Sequence, residues 1–163
     1  MSNLILDKFD RNKSNKGTVP IWLMRQAGRY LPEYKKIRSN NEDFINFCLN
    51  IKDSSKVTLQ PLERFNLDAA IIFSDILLIN YAAGQDVKFK ENFGPVLQKL
   101  DKEAFLAIKK DDFINKLSNC YKSMRNVRNL LHKDKTLIGF AGSPWTLLVY
   151  ALNLKSPKNE FNL

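Results

Sequence analysis

The stretch MRQAGRY, residues 24 to 30, carries two arginines four positions apart. On a helix Arg25 and Arg29 would share one face, where like charges cost about 0.2 to 0.5 kcal/mol. No carboxylate lies between them, and Pro32 opposes a helical pairing with Glu33. Because planar guanidinium groups match carboxylates and phosphates, the pair indicates a clamp for a polycarboxylate or a phosphate. The alternative is a pair of surface arginines with solvated head groups.

Asp75 is the second candidate, because apolar residues precede and follow the polar pair in AAIIFSDILLI. A carboxylate that faces an apolar cavity can accept several N–H donors and stabilise a positive charge. Capping of the helix that follows the strand is an equally good structural role. Tyr150 is a third candidate, although a lone tyrosine is more often a core residue with a solvated hydroxyl. The glycines of GFAGSPW match no phosphate-binding loop, and Gly142 is expected to permit a sharp turn before a helix.

The charge of the chain is strongly positive but scattered. With 163 residues, 44% of them hydrophobic, the chain has the size of one globular domain. A net charge of +9 suits a polyanionic partner or a heavily carboxylated small molecule. Lysines are distributed from Lys8 to Lys158 without a basic run that contains aromatic residues. We therefore expect a solvated surface and no nucleic-acid partner.

Cysteine and histidine usage argues against a metal or redox site. Cys48 and Cys120 lie far apart with no CxxC spacing, which suits a reducing cytoplasm. His132, the only histidine, stands near the end of a predicted helix, where a surface role is expected. The apolar runs are too short for a signal peptide or a membrane span. The sequence therefore predicts a cytoplasmic protein with no metal site and no membrane contact.

Apolar runs and helical periodicity alternate along the chain. After an N-terminal arm of residues 1–18, the runs TVPIWLM, LDAAIIFSDILLI and TLIGFAG predict buried strands. Alternation at 86–98 predicts a hairpin that ends at Gly94-Pro95. With helices between the runs, the order is that of a parallel α/β fold. About three strands are too few for a closed barrel.

Capping residues and apolar spacing predict where the helices begin. Pro61 is expected to kink or bound the second helix, whose core residues extend to Phe65. The third helix has Tyr121 and Leu130 on its apolar face. The predicted starts are Asn40 or Asn41, Asp53 or Ser54, Asp111, and Pro144 behind a Ser143 cap.

Polar residues follow three of the predicted strands. In parallel α/β folds, functional side chains gather where strands end, so convergence of these residues would make a pocket. The polar positions are Arg25, Gln26 and Arg29 after PIWLM, Ser74 and Asp75 after AAIIF, and Gly142 and Ser143 after TLIGF.

Three segments resemble motifs of the uroporphyrinogen decarboxylase family, in the family's own order: MRQAGRYLPEY, TLQPLERFNLDAAIIFSDIL and LIGFAGSPWTLLVY. The resemblance spans about Pro20 to Leu152. It implies the N-terminal part of a (β/α)8 barrel of the TIM type, truncated after about three strands. It also implies a carboxy-lyase of haem biosynthesis, usually a homodimer. That enzyme removes the four acetate carboxyls of uroporphyrinogen III, giving coproporphyrinogen III and CO2, without a metal or an organic cofactor.

The resemblance further implies roles for individual residues. The carboxylates of the substrate account for the arginines of the first loop. Asp75 matches the acid that receives the pyrrole N–H groups at the centre of the macrocycle, and Tyr150 matches an active-site tyrosine. Backbone near Ile72 and Phe73 lines the same wall. The implied catalytic residues are Asp75, Arg25, Arg29 and Tyr150. The implied binding residues are Arg25, Gln26, Ala27, Arg29, Ile72, Phe73, Asp75 and Tyr150.

Members of this family are about twice as long as the chain, a length that suits a complete barrel. We therefore expect residues 1–163 to form a single incomplete domain, from a truncated or split gene, with little activity alone. A complementing C-terminal half would cover its open strand edges. The alternatives are an inactive fragment that at most binds an anionic tetrapyrrole, a related corrinoid methyltransferase with the same barrel, and a general polyanion binder. MRQAGRY favours the decarboxylase.

Overall fold

A computed structural model describes residues 3–10, 18–24, 28–90 and 93–154. The chain divides into two compact units. The first unit comprises residues 1–42, 46–74 and 119–140, and the second comprises 43–45, 75–118 and 141–163. In chain order the helices and strands are α1 (Leu4–Phe9), α2 (Pro32–Arg38), α3 (Phe44–Leu49), α4 (Ile51–Arg64), β1 (Ala69–Ile71), α5 (Leu78–Ala82), β2 (Val87–Lys90), β3 (Gly94–Leu97), α6 (Lys102–Ala107), α7 (Lys110–Leu130), β4 (Thr136–Ile138) and α8 (Pro144–Ala151).

The first unit is built on a parallel pair of strands, β1 and β4. Ala69 lies opposite Thr136 and Ile71 opposite Ile138. All three residues of β1 are buried, as expected for a parallel strand covered on both faces. Both strands were expected from their apolar runs, and the parallel α/β architecture is confirmed.

The expected strand at TVPIWLM is wrong. Residues 18–24 form no strand, and Val19, Ile21 and Met24 are exposed. Within the described residues, the backbone of this segment reaches the sheet only at Asp68, which exchanges two hydrogen bonds with Ile21. The Ile21 N–H donates to Asp68 Oδ2 at 2.7 Å, and the Asp68 N–H donates to Ile21 O at 2.8 Å. An apolar run forms a buried strand only where a neighbouring strand continues the ladder beyond one residue.

Helix α4 starts earlier than its sequence suggests. Asn50 caps it by accepting the Asp53 N–H at 3.1 Å, so the first turn forms ahead of the expected start at Asp53 or Ser54. Pro61 lies inside the helix, which continues to its end at Arg64. Phe65 was expected in the core, but it is extended beyond the helix end and 41% exposed.

Helix α7 was expected from its apolar spacing, and it is confirmed within one residue at each end. Leu117 and Val127 are buried on it. Tyr121 and Leu130 are half or more exposed, so their expected place on the buried face is wrong. Helical spacing identifies an apolar stripe, but its edges face solvent where no other element covers them.

The second unit contains the expected hairpin, with β2 and β3 antiparallel. Its boundary differs from the expectation, because Gly94 and Pro95 open the second strand instead of ending the hairpin. Gly94 adopts a φ of 82°, a left-handed conformation that glycine accepts without strain. Pro144 occupies the first turn of α8 as expected, and Ser143 precedes it without a side-chain capping bond.

The aromatic core of the first unit is a cluster of Tyr34, Phe47 and Phe73. The Phe47 and Phe73 ring centroids lie 4.6 Å apart, and Tyr34 lies 6.1 Å from Phe47 and 6.2 Å from Phe73. Phe47 is fully buried, and Phe73 is 1% exposed. The cluster therefore fixes the end of β1 against α2 and α3.

Replacing Phe47 with alanine should lower the free energy of unfolding by about 3 to 5 kcal/mol, because a buried ring is lost and a cavity remains. Urea unfolding followed by circular dichroism would measure the change. Phe9→Ala is the matched control, since Phe9 is 83% exposed, and it should change that free energy by less than about 0.5 kcal/mol. Equal losses in the two variants would contradict the central place of this cluster.

Candidate functional site

Arg29 lies on the wall of a cavity in the first unit. The cavity has a volume of about 520 Å³ and is also lined by Gly28, Tyr30, residues of α4 including Thr58, and all of β1. Its walls are mostly apolar, and the lining residues include the exposed Arg29. Arg25, Gln26 and Ala27, which the sequence assigns to the same loop, lie outside the described residues.

A tight turn presents Arg29. The Leu31 N–H donates to Gly28 O at 2.8 Å, which places Arg29 and Tyr30 at the two central positions of the turn. A Cβ on Gly28 would lie 2.4 Å from Leu31 Cδ1, so a larger residue could not occupy this position without moving Leu31. Leu31 is itself buried. The glycine of QAGRY is therefore required by close packing.

The charge of Arg29 acts on Tyr34, and the nearest acid in sequence, Glu33, is bound by another arginine. Burial raises the pKa of the Tyr34 hydroxyl, while the positive charges of Arg29 and Arg38 oppose that rise. Glu33 is engaged elsewhere, because Arg64 binds its carboxylate through Nε at 2.5 Å and Nη2 at 2.9 Å. Arg64 thereby holds the pKa of Glu33 below its usual range.

Ile72 and Phe73 extend β1 by two residues. Their side chains are 2% and 1% exposed, and Phe73 belongs to the aromatic cluster. The Ile72 N–H donates to Ile138 O at 3.0 Å, and the Phe73 N–H donates to Thr58 Oγ1 at 2.8 Å. Any contact of these two residues with a ligand would therefore use backbone atoms.

Asp75 opens the second unit and caps a turn. Its Oδ1 accepts the Leu77 N–H at 2.8 Å, and its carbonyl oxygen accepts the Leu78 N–H at 3.3 Å. Helix α5 has Leu77 at its N-cap without a side-chain bond, so the helix-capping role considered from the sequence is wrong, and the Asp75 Oδ1 bond closes a turn instead. It occupies part of the carboxylate, whose two oxygens offer about four acceptor positions.

Tyr150 stands near the end of α8 and is 37% exposed. Two buried amides that the sequence did not single out hold this helix. Asn80 Nδ2 donates to Leu147 O at 3.3 Å, and Gln85 Nε2 donates to Ala151 O at 2.8 Å. The detectable signal was a pair of amide residues within the apolar segment LLINYAAGQ.

Gly142 lies where side chains approach the backbone closely. Its φ is not left-handed, and a Cβ there would lie 2.8 Å from Leu147 Cδ2 and 3.1 Å from Ile76 Cβ. Close packing in the second unit therefore favours glycine, and the sharp turn expected from the sequence stays a prediction.

Among residues 3–10, 18–24, 28–90 and 93–154, no group of three or more His, Cys, Asp and Glu side chains could hold a metal ion. No helix in the described part of the chain has the length and apolar composition needed to cross a membrane. His132 is a surface residue, as expected, with Nδ1 2.5 Å from Asp134 Oδ1.

Arg29, Ile72 and Phe73 thus belong to the first unit, and Asp75 and Tyr150 to the second. The first unit places Arg29 on a cavity that β1 also lines. Convergence of all these residues on one substrate stays a prediction.

Substituting Arg64 with glutamine should raise the pKa of Glu33 towards its usual range, because the bidentate partner that favours the carboxylate is lost. In the native pair the folded-state pKa is depressed. The stabilisation that the bond between Arg64 and the ionised Glu33 gives the fold is therefore present above the unfolded-state pKa of Glu33. It is lost as pH falls through the folded-state pKa of Glu33. A carbon-13 NMR titration of the Glu33 carboxyl would measure the shift. The control is Lys52→Gln, on the exposed face of α4, which should leave this titration unchanged. An unaltered Glu33 pKa in R64Q would refute the assignment of the pKa shift to Arg64.

Gln85→Leu should lower the free energy of unfolding by about 1 to 3 kcal/mol, because buried carbonyl oxygens lose their donor. Gln85 Nε2 serves both Gln98 O and Ala151 O at 2.8 Å. Gln98→Leu is the control, since it alters an exposed side chain and keeps the carbonyl. Urea unfolding of both variants provides the measurement, and a Q85L chain as stable as Q98L would show that Gln85 does not anchor α8.

Comparison with known proteins identifies relatives across almost the whole chain. Residues 5–161 match the family described as Uroporphyrinogen decarboxylase (URO-D). The uroporphyrinogen decarboxylase of Rickettsia canadensis (strain McKiel) is 48% identical over 149 residues, and that of Rickettsia massiliae (strain Mtu5) is 47% identical over 152. These alignments cover 91% of this chain but 44% and 43% of the relatives. The chain therefore spans less than half the length of these curated relatives.

A methyltransferase from Methanosarcina mazei has a similar structure, with a TM-score of 0.58 and 15% sequence identity. The similarity covers 74% of this chain and 37% of the methyltransferase. At this identity it concerns the fold alone and agrees with an α/β architecture. The match over residues 5–161, together with relatives at almost half identity, shows that the chain belongs to the uroporphyrinogen decarboxylase family.

Proposed function

We propose that the chain supplies the N-terminal part of a uroporphyrinogen decarboxylase, a carboxy-lyase of haem biosynthesis built on a TIM-type (β/α)8 barrel. The observation that carries this proposal is the family match over residues 5–161. The parallel pairing of β1 with β4 supports the barrel, because parallel strands joined through helices are its repeating unit. The substrate would be uroporphyrinogen III and the products coproporphyrinogen III and CO2.

Binding would depend on charge complementarity between arginines and carboxylates. Arg29 is exposed beside the mostly apolar cavity, and a guanidinium can bind a carboxylate through two parallel N–H···O bonds. Arg25, Gln26 and Ala27 of the same loop would complete the contact. Backbone atoms of Ile72 and Phe73, Asp75, and Tyr150 would line the rest of the site.

The reaction requires a temporary electron sink in the substrate. Protonation of a pyrrole carbon makes the ring cationic, and the bond between the acetate CH2 and its carboxylate then breaks. CO2 leaves, the electron pair enters the ring, and a second proton adds to the exocyclic carbon to form the methyl group. Loss of the first proton from the ring carbon then restores the pyrrole. Asp75 would stabilise the cationic ring through its carboxylate. Arg25 and Arg29 would hold the reacting carboxylate, since a guanidinium is a poor proton donor.

The assembly around this chain is part of the proposal. Residues 1–163 would form one incomplete barrel domain, completed by a polypeptide equivalent to the remainder of the relatives, and the whole enzyme would be a cytoplasmic homodimer. It would act without a metal or an organic cofactor. A second candidate is favoured by the coverage of 44% of a relative: a chain that binds an anionic tetrapyrrole without turning it over.

Anaerobic incubation with uroporphyrinogen III separates these candidates. We expect the 163-residue chain alone to form little coproporphyrinogen III, and we expect turnover when the remaining part of the Rickettsia canadensis relative is added. Chromatography of the oxidised porphyrins would measure the products, with the intact relative as positive control. Turnover by the chain alone would overturn the expectation of inactivity, and no turnover in the mixture would leave the second candidate.

Arg29→Lys tests whether binding requires a guanidinium. Lysine keeps the charge but cannot bind a carboxylate in a bidentate manner, so we expect about tenfold weaker binding of uroporphyrin III, a fluorescent octacarboxylate. Fluorescence titration would measure the dissociation constant. The control is Arg125→Lys, at an exposed arginine of α7, which should change it less than about twofold. Equal affinities in R29K and the unsubstituted chain would support a general polyanion binder instead.

A further inference from the structure

Thr58 makes two hydrogen bonds inside the first unit. Its side chain is 1% exposed. Its hydroxyl donates to Ser54 O at 2.7 Å, one turn earlier in α4, and accepts the Phe73 N–H at 2.8 Å. A hydroxyl can donate and accept at once, so a single side chain joins helix α4 to the end of β1.

The Phe73 N–H needs this partner because it faces away from β4, and no described strand lies on that edge of β1. The Ile72 N–H is the last to reach β4, where it donates to Ile138 O at 3.0 Å. The next amide belongs to a residue that is 1% exposed, and a buried N–H without an acceptor costs about 1 to 3 kcal/mol. Thr58 supplies the acceptor, so helix α4 sets the path of the backbone beyond the ladder.

Helix α4 is itself held by buried hydroxyl groups. Ser54 Oγ donates to Ser123 Oγ at 2.8 Å, and Ser123 Oγ donates to Asn119 O at 2.9 Å. Both serines are fully or almost fully buried. Both serine hydroxyls donate in the direction from α4 to α7, so each hydroxyl hydrogen has an acceptor. Thr58 therefore stands on a helix whose position is fixed by polar contacts as well as by packing.

We propose that Thr58 is a positioning residue that fixes the Phe73 peptide at the end of β1. The inference rests on the proposed function, in which backbone near Ile72 and Phe73 forms part of the substrate-binding wall. Thr58 also lines the cavity that contains Arg29. The Thr58 hydroxyl thus connects the end of β1 to the cavity wall on which Arg29 lies. Phe73, whose peptide it fixes, precedes Asp75 by two positions in the chain.

The test compares Thr58→Val, which keeps the shape and removes the hydroxyl, with Thr58→Ser, which keeps the hydroxyl. Amide hydrogen exchange of Phe73 is measured relative to that of Ile72, whose acceptor is unchanged, in the 163-residue chain. We expect the ratio to rise about tenfold or more in T58V and to stay within about twofold in T58S. Ser55→Ala is the matched control, because Ser55 is a buried hydroxyl of α4 that bonds Ser123 O at 3.4 Å and not the strand.

A Phe73 to Ile72 ratio that stays constant in T58V, or rises equally in S55A, would overturn the proposal. If T58V does not fold, the Phe73 to Ile72 exchange ratio of T58S becomes the test. An unchanged ratio in T58S supports the role of the hydroxyl, and a tenfold rise overturns it.

Ligand binding provides a separate readout. Uroporphyrin III should bind T58V about tenfold more weakly than T58S or S55A. A raised exchange ratio with unchanged affinity would overturn the positioning role. Absence of porphyrin binding by the unsubstituted chain would instead count against the proposed function, while the exchange ratio would still decide whether Thr58 fixes the Phe73 peptide.

Discussion

The organisation of the first unit depends on satisfying the backbone of one buried strand. β1 is buried, so its N–H and C=O groups need hydrogen-bond partners. The parallel neighbour β4 provides them along one edge as far as Ile72, and Thr58 of α4 provides one for Phe73 on the opposite edge. Because the helix and both strands share these bonds, the strand end cannot shift without breaking contacts in two directions. The same constraint places the aromatic cluster and one cavity wall.

Most of the secondary structure could be predicted because it follows from local rules. Continuous apolar runs identified β1 and β4, and apolar spacing identified α7. Residues 18–24 contain a comparable run, yet they form no strand, since burial depends on neighbours that a run of letters does not specify. The prediction for Phe65 was wrong because its helix ends one residue earlier. The side chain therefore leaves the face that the helical periodicity assigned to it.

The sequence motifs identified candidate site residues. They did not identify the residues that hold the surrounding backbone in place. The arginine loop and Asp75 stand in segments that resemble family motifs, whereas Thr58 and Gln85 are common polar residue types whose positions mark no site. Their importance arises from partners 15 and 66 positions away in the chain. A pattern of hydroxyl residues four apart, Ser54 and Thr58, is a weak signal, because threonine often bonds the preceding turn of its own helix.

The turn at Asp75 bears on the proposed chemical role of this residue. From sequence, helix capping and stabilisation of a cation were alternatives. Its Oδ1 accepts the Leu77 N–H, which fixes the carboxylate relative to the backbone before any substrate binds. Electrostatic stabilisation is most effective when the charged group does not have to reorient during the reaction. A carboxylate held by its own turn meets that requirement, so the bond that closes the turn is an argument for the proposed role of Asp75 and not against it.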